Sequence, residues 1–281
     1  MTYSIVARDA ENGELGVAVQ SRAFRAGAVV MFGQPGVGVV ATQAFGELSY
    51  GPLGLELMRN GKTPEQALTA LRVTDDLAET RQVAMVAADG SLAVHTGVDC
   101  LAAAGHRTAG GVSAQANCVD SPAVWGSMVD AFAAAEGSLA RRLLAALDAA
   151  EAAGGDWRGR QAAGLLVVPA AGQAWETVCD LRVDDHLDPL AELRRLLQLH
   201  EGYEALGEVD GSAAIARDAG MAELDVRFAE LFDAARAGDI ETGRTLVAGL
   251  LADDDRWRHY LRALGDLDYL PHADDLLADR G

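Results

Sequence analysis

The pattern of apolar and polar residues predicts β-strands in three segments near the start of the chain. In the first two, apolar residues alternate with polar ones or run together, and the third is rich in valine and glycine. The three segments are residues 2–8, 14–21 and 36–43. The first two flank Asp9-Ala10-Glu11-Asn12-Gly13, a run of turn-forming residues that predicts a hairpin. Antiparallel pairing would bring the start of the first strand beside Gln20-Ser21-Arg22 at the end of the second.

After residue 50 the apolar residues recur every three or four positions, which predicts helices. The helices are predicted at 51–60, 67–73, 123–136, 139–152 and 190–200, and further strands at 81–87, 91–96, 111–117, 161–168 and 177–182. The second helix is opened by Thr63-Pro64-Glu65-Gln66, a sequence typical of a capped helix start. Pairs of helices between groups of strands predict an α+β fold, with two stacked sheets covered by helices on their outer faces.

An acidic tail follows a glycine-containing stretch at 202–220. Its apolar residues recur at helical spacing, which predicts helices at 222–237, 240–251 and 256–264. Helical hairpins of this kind bury their apolar faces only against neighbours. We therefore divide the chain into a main domain, 1–200, and a helical extension, 201–281, which packs on the main domain or on a second subunit.

Composition narrows the class of protein. Half of the 281 residues are apolar, and the formal net charge is −19. Nucleic acids and anionic membranes bind basic surfaces, so this charge excludes both as expected partners. Cys100, Cys118 and Cys179 are too few and too scattered for a disulfide framework, and we expect them to be buried in a reducing compartment. The chain shows no secretory leader and no apolar run of roughly 18 residues, which favours a soluble, cytoplasmic protein.

Thr2 is the most informative single residue. An initiator methionine is usually removed before so small a residue, which would leave a hydroxyl and a free α-amine on Thr2. An α-amine has a pKa of about 8, so part of it is neutral at pH 7 and acts as a base. Threonine activated by its own amine is a known nucleophile for carbonyl carbons.

Polar residues at the predicted strand ends are the candidate partners of Thr2. Ser21 and Arg22 would orient the amine or bind a substrate carboxylate, although a structural salt bridge is an equal alternative for Arg22. Gln43 and Asn117 would donate hydrogen bonds to a developing oxyanion. For Gln43 the alternative is hydrogen bonding at the sheet edge.

Other charged and titratable residues have two interpretations each. His95 and His106, which lie in glycine-flanked turns, would shuttle protons or be structural. Asp156 and Arg160 belong to a charged loop that suits an anionic or ureido-like ligand, or an ion-pair clamp between subunits. Asp184-Asp185-His186 has the composition of a metal site, but adjacent residues point in different directions, and a helix start explains it better. We expect no metal and no cofactor.

Several motifs resemble the DUF1028 family, which is grouped with the N-terminal-nucleophile hydrolases. They are the hairpin 2–22, Ala41-Thr42-Gln43-Ala44, Ser49-Tyr50-Gly51-Pro52, His95-Thr96-Gly97, Ala104-Gly105-His106-Arg107, Gln115-Ala116-Asn117, and the segments 155–161 and 180–186. The resemblance covers residues 1–200 and implies a four-layer αββα sandwich. It implies no particular substrate.

The hairpin is also similar to the start of a proteasome β-subunit, in which a leading threonine precedes a hairpin that ends in Ser-Arg. This chain has Gln20 where that pattern has an aspartate, and no lysine precedes Lys62. The α-amine would therefore be the only nearby base. These observations favour a cofactor-independent amidohydrolase that cleaves a small linear or cyclic amide or ureido compound. The alternatives are a non-catalytic small-acid-binding protein or an assembly protein on the same scaffold, and we expect a homo-oligomer, a dimer or larger.

Overall fold

The structure is a computed structural model that describes residues 2–206 and 212–278. The chain divides into two compact units, Met1–Leu197 and Gln198–Gly281. The predicted domain boundary after residue 200 stays a prediction. The described part of the first unit contains strands and helices, and that of the second contains helices.

The strands are β1 (Thr2–Arg8), β2 (Leu15–Ser21), β3 (Met31–Gln34), β4 (Gly38–Ala44), β5 (Arg81–Ala87), β6 (Leu92–Thr96), β7 (Gly105–Ala109), β8 (Val112–Asn117), β9 (Ala162–Val168) and β10 (Cys179–Val183). The helices are α1 (Ala26–Val30), α2 (Tyr50–Arg59), α3 (Pro64–Val73), α4 (Ala123–Ala134), α5 (Leu139–Ala152), α6 (Pro189–Leu206), α7 (Ser212–Asp218), α8 (Glu223–Ala237), α9 (Ile240–Asp253), α10 (Trp257–Asp266) and α11 (Ala273–Leu277). A 3₁₀ turn covers Ala78–Thr80.

The fold is a mixture of helices and strands with two antiparallel sheets. The first sheet has the order β10-β9-β2-β1-β8-β7, and the second has the order β3-β4-β5-β6. Strand β1 lies between β2 and β8 and pairs with both in antiparallel register. The chain therefore enters the first sheet in an interior strand, and that strand begins at Thr2.

Alternate residues of β1 face opposite sides of the first sheet, as the pleat requires. Tyr3, Ile5 and Ala7 pack into one core with side chains of α4 and α5. Val6 belongs to a different core, which joins β1 and β2 to the second sheet through Val39 and other side chains of β4 and β5. Even-numbered residues of β1 consequently face the second sheet.

The second sheet carries its own helix-covered face. Helices α2 and α3 pack on it through Leu55, Met58 and Leu68, which contact Val83 and Met85 of β5 in a third buried cluster. Burial of each such side chain contributes about 1.5–3 kcal/mol to the free energy of folding. Odd-numbered residues of β5 therefore face these helices, and even-numbered ones face the first sheet.

The turn predicted for the first hairpin and the capped start predicted for the second helix of the main domain are both confirmed. Gly13 closes the first hairpin with a positive φ of 78°, and its N–H donates to Asp9 O. Thr63 forms the complete capping box with Gln66 at the start of α3. The three cysteines are free and buried, as predicted.

Some predicted elements differ from the structure. Helix α1 and strand β3 fill the stretch that the prediction left between its second and third strands. Helix α6 continues to Leu206, and α7 lies inside the glycine-containing stretch 202–220, where no helix was predicted, because an apolar helix face there packs with Met221 and Val226. Residues 207–211 of that stretch lie outside the described residues.

The second unit is built from helices with short connections. Gly238 ends α8 in the left-handed conformation with φ 70°, and Asp239 caps α9 by accepting from the Thr242 N–H, as predicted. Leu231, Leu250 and Leu261 form the centre of its core. In the ranges that the structure describes, no helix has both the length and the apolar character needed to cross a membrane.

Candidate active site

The start of β1 is where polar residues of the first sheet meet. Thr2 lies opposite Ser21, the last residue of β2, and opposite Asn117, the last residue of β8. Thr2 lies on the same side of β1 as Val6, which packs between the sheets. The three polar side chains therefore share the face that looks toward the second sheet, as the hairpin pattern predicted for Thr2 and Ser21.

The hydroxyls of Thr2 and Ser21 are in hydrogen-bond contact. Their Oγ atoms are 3.0 Å apart, and either can be the donor. Ser21 is fully buried, and Thr2 keeps 6 % of its surface exposed. A second hydroxyl thus fixes the direction of the Thr2 hydroxyl at the edge of a buried region.

Gln43 connects the second sheet to this strand end. Its buried amide Nε2 donates to Gln82 Oε1 at 2.7 Å. The same nitrogen lies 3.4 Å from the main-chain oxygens of Thr2 and Gln115. Since its N–H groups are used in this way, the Gln43 amide holds the Thr2 carbonyl rather than pointing at an external ligand.

Gln82, on β5, is the centre of the buried network and was not predicted from the sequence. Its Oε1 accepts from Gln43 and from Asn117 Nδ2, the latter at 3.0 Å. Its Nε2 lies 2.9–3.1 Å from three acceptors, which are Thr96 Oγ1, Gly105 O and Ala116 O. One signal in the sequence could have identified Gln82: it is the only amide side chain in the strand Arg81–Ala87, which is otherwise apolar after Arg81. A buried amide has to be hydrogen-bonded, so such a residue indicates a polar partner in the core.

His106 lies at the far end of the same network. Thr96 Oγ1 accepts from Gln82 Nε2 and lies 2.9 Å from His106 Nδ1, and the tautomer of His106 decides which of these last two atoms donates. Burial, and secondarily the charge of His95, lower the pKa of His106 below its usual value, which favours the neutral ring. His106 belongs to β7 and not to the predicted turn.

His95 is in contact with a different part of the protein. It precedes Thr96 in β6, so its side chain leaves the opposite face of the strand. Its Nε2 lies 3.0 Å from Ala78 O in the 3₁₀ turn. The structure does not bring His95 together with Thr2.

Arg22 and Asp156 meet just beyond the end of β2. The buried Asp156 carboxylate accepts from the Arg22 N–H at 3.0 Å and from the Arg158 N–H at 2.9 Å. The Arg22 guanidinium donates to Gln161 Oε1. No carboxylate among residues 2–206 and 212–278 forms an ion pair with Arg22, so its charge is available beside the strand end.

Arg160 lies on the other side of the first sheet. It contacts the carboxylates of Glu151 and Asp188, each at 3.4 Å. Glu151 also accepts from the Tyr3 hydroxyl at 2.7 Å, and Tyr3 faces away from Thr2. Burial raises the pKa of Tyr3 well above its usual value, and the nearby Glu151 carboxylate raises it further. Arg160 therefore serves an internal ion-pair cluster.

Two residues that follow the site strands have unusual backbone conformations. Ala44 follows Gln43 with φ 70°, and Cys118 follows Asn117 with φ 53°. A non-glycine residue in the left-handed region costs about 1 kcal/mol and persists where the surroundings impose it. Both strands thus turn sharply directly after the candidate side chains.

An ion pair anchors the turn after Gln43. Arg81 donates to Asp75 Oδ2 at 2.9 Å and to the Phe45 carbonyl at 2.5 Å. The hydrogen bond from Arg81 lowers the pKa of Asp75 to about 2. Burial, together with the hydrogen bond to Asp75, raises the pKa of Tyr50 to about 12. These three side chains hold the loop that carries Ala44 and Phe45.

The residues of the acidic segment before α6 make hydrogen bonds and ion pairs with other residues of the chain. Asp185 accepts from Gln161 Nε2 at 2.9 Å, His186 Nδ1 accepts from the Asp188 N–H at 3.0 Å, and Asp184 contacts Arg25 at 3.9 Å. Asp188 in turn caps α6 by accepting from the Ala191 N–H. Within the described ranges, no three His, Cys, Asp or Glu side chains are grouped as metal ligands.

Comparison with known proteins identifies the family of the main domain. The model of a family of unknown function, DUF1028, matches residues 2–193. A crystal structure of a DUF1028 protein from Silicibacter pomeroyi is 32 % identical, with a TM-score of 0.65, and the match covers 77 % of this chain and 93 % of that chain. Among curated proteins, none matches.

Two more distant structures are of Anbu proteins. Anbu (ancestral beta-subunit) from Yersinia bercovieri is 13 % identical with a TM-score of 0.37, and the match covers 74 % of this chain and 98 % of that chain. An Anbu (Gly-1) mutant from Hyphomicrobium sp. strain MC1 is 11 % identical with a TM-score of 0.36 and the same coverage. At these TM-scores neither structure carries an inference about this chain.

Proposed function

The chain belongs to the DUF1028 family, and from that premise we propose that it is an amide hydrolase whose nucleophile is the Thr2 hydroxyl. The observation that carries the proposal is the meeting of Thr2, Ser21 and Asn117 at one end of the first sheet, with Gln43 of the second sheet in contact with Thr2. The substrate class is a small linear or cyclic amide or ureido compound.

The proposal includes the αββα sandwich of the N-terminal-nucleophile hydrolases as the fold of the main domain. Three buried clusters support it: one joins α4 and α5 to the first sheet, one joins the two sheets, and one joins α2 and α3 to the second sheet. In such a sandwich an interior strand that starts with the nucleophile holds it rigidly at the open end of the two sheets.

The reaction requires Thr2 to have a free α-amine. Thr2 Oγ1 attacks the carbonyl carbon, and its proton passes to the α-amine. The tetrahedral intermediate expels the amine product, which takes this proton, and leaves an ester on Thr2 Oγ1. Water then attacks the ester by the reverse proton path and releases the acid. Ser21 Oγ orients the hydroxyl before attack.

The donor for the oxyanion is Asn117. Its Nδ2 group has two N–H bonds, and Gln82 Oε1 accepts one of them. The second N–H would stabilise the oxyanion, together with main-chain N–H groups at the strand end. We assign Gln43 a positioning role, since its donors are directed to Gln82 and to main-chain carbonyls.

Arg22 would bind a carboxylate of the substrate, because its charge is not matched by an ion pair within the described residues and Asp156 holds its main chain in place. We assign His106 to the end of the supporting network. For His95 and Arg160 we propose no contact with the substrate, since both side chains have internal partners.

The test compares the full chain with Thr2→Ala, with intact mass spectrometry reporting whether Thr2 is the first residue. A β-lactone probe should acylate Thr2 in the unmodified protein, and hydrolysis of glutaryl-p-nitroanilide should fall by at least about a thousandfold in Thr2→Ala. Thr2→Ser should retain turnover, and Thr108→Ala, at an exposed threonine of β7, should match the unmodified protein. Equal rates for Thr2→Ala and the unmodified protein would refute the proposal.

A second candidate function is the binding of a small acid without catalysis. The observation that favours it is Arg22, a positioned cation with no carboxylate partner in the part of the chain that the structure describes. Under this alternative glutarate binds equally to the unmodified protein and to Thr2→Ala, binding is lost in Arg22→Ala, and no β-lactone adduct forms at Thr2.

A further inference from the structure

A pocket lies in the helical unit and has no part in the proposed hydrolysis. It has a volume of about 530 Å³ and is lined by Phe228 of α8, by Trp257 and Tyr260 of α10, and by Asp225, Asp254 and Arg256. Pockets for small ligands commonly have volumes of roughly 300–1,000 Å³. This pocket is therefore large enough for a small molecule.

Three aromatic rings form one wall of the pocket. The ring centroids of Trp257 and Tyr260 are 5.7 Å apart, and those of Phe228 and Trp257 are 5.8 Å apart. Tyr260 is 48 % exposed, while the neighbouring Leu261 is fully buried. Phe228 and Trp257 are partly buried and pack against the core that contains Leu261, so core packing accounts for part of these two rings but not for the exposed ring of Tyr260.

The charges at the pocket favour a cation. Asp254 is neutralised by Arg256, whose hydrogen bonds lower the pKa of Asp254 to about 2. Asp225 accepts from the Tyr203 hydroxyl at 2.9 Å, and no cation of the described residues forms an ion pair with it. One carboxylate charge at the pocket is consequently unmatched. Across residues 198–281 acidic residues outnumber basic ones by more than two to one.

We propose that this pocket binds a small ligand through an alkylammonium group, which lies over the Trp257 and Tyr260 rings and faces the Asp225 carboxylate. The faces of aromatic rings carry negative charge and attract alkylammonium ions, with tryptophan the best. A neutral apolar ligand would use the rings but not Asp225, and an anion would be repelled by Asp225.

The test is isothermal titration of the full chain with choline and with its neutral isostere 3,3-dimethylbutan-1-ol. Choline should bind saturably at one site, and the isostere should bind about two- to fivefold more weakly, as expected from cation–π attraction at an accessible site. Asp225→Asn preserves the shape and the acceptor for Tyr203, so it should weaken choline binding and leave isostere binding unchanged.

Tyr260→Leu and Tyr269→Leu form a matched pair, because both tyrosines are exposed in the same unit and only Tyr260 lines the pocket. Choline affinity should fall in Tyr260→Leu and persist in Tyr269→Leu. Equal affinity for choline and the isostere overturns the proposal, as does a lack of saturable choline heat. If the face instead pairs with a second copy, choline does not bind and Tyr260→Leu lowers the sedimentation coefficient, which also overturns it.

Discussion

Replacing Gln82 with leucine removes the residue on which the polar network between the sheets depends. In the unmodified protein Gln82 Oε1 accepts from Gln43 and Asn117, and Gln82 Nε2 donates within a group of three oxygen acceptors. Leucine has nearly the same volume and prefers the same buried surroundings. The substitution therefore deletes the hydrogen bonds while it changes the packing little.

The cost follows from the groups that lose their partner. Asn117 Nδ2 loses its acceptor, and Gly105 O and Ala116 O each lose a donor. Gln43 Nε2 keeps only its two 3.4 Å contacts. Each buried polar group left without a partner costs about 1–3 kcal/mol, and part of this is offset by burying leucine. We expect the free energy of unfolding to fall by about 3–5 kcal/mol.

Urea unfolding at pH 7, followed by circular dichroism, measures this difference. Gln173→Leu is the matched control, because Gln173 is exposed and the same substitution there should change the free energy of unfolding by no more than about 0.5 kcal/mol. A value for Gln82→Leu within about 1 kcal/mol of this control would refute the reasoning, since it would mean that the network contributes nothing.

Gln82→Glu keeps the hydrogen-bond acceptor of the Gln82 side chain and removes its donor. A carboxylate still accepts from Gln43 and Asn117, but it faces Thr96 Oγ1, Gly105 O and Ala116 O without a proton to donate. Burial would raise the pKa of this carboxyl in the folded state, so the folded state binds the proton more tightly. Stability of this variant should therefore rise as the pH is lowered toward the unfolded-state pKa of about 4.3.

Three further substitutions test an ion pair and the packing around two glycines. The hydrogen bond from Arg81 lowers the pKa of Asp75 to about 2, so the Arg81–Asp75 pair stabilises the fold above the unfolded-state pKa of Asp75 and loses this effect as the pH falls through about 2. Asp75→Asn should therefore lower the free energy of unfolding by about 1–2 kcal/mol at pH 7. Urea titrations should show this difference shrinking below a pH of about 4. A Cβ on Gly97 would lie 2.1 Å from the Glu79 carbonyl oxygen, so Gly97→Ala should destabilise by at least about 2 kcal/mol. Gly126→Ala, in α4 with nothing near the added Cβ, should instead raise the melting temperature; equal effects of these two alanines would contradict the packing argument.

Local sequence patterns predicted much of the site's framework. Alternation along 2–8 and 14–21, with turn residues between them, placed Ser21 beside Thr2, and the structure pairs these two residues directly. The capped start at Thr63 and the glycine stop at Gly238 were equally local, and both are confirmed. Each signal involves residues close in sequence, whose hydrogen bonds and periodicity do not depend on the rest of the fold.

Long-range partners were not predictable in the same way. His95 and His106 looked equivalent in sequence, yet strand alternation sends His95 to the 3₁₀ turn and His106 to Thr96. Arg160 and Arg22 also looked alike, and only the structure separates the paired Arg160 from Arg22. Nothing in a single strand reveals which carboxylate or carbonyl the fold brings to it.

The sequence by itself determined which residues are apolar, where the period changes, and therefore which face of each strand and helix is buried. Only the tertiary structure decided that Gln43, Gln82 and Asn117 share hydrogen bonds, and that Thr2 lies in contact with Gln43. The physical reason is that these contacts join residues from different strands of two sheets. Their partners are set by strand order and register, which no local pattern encodes.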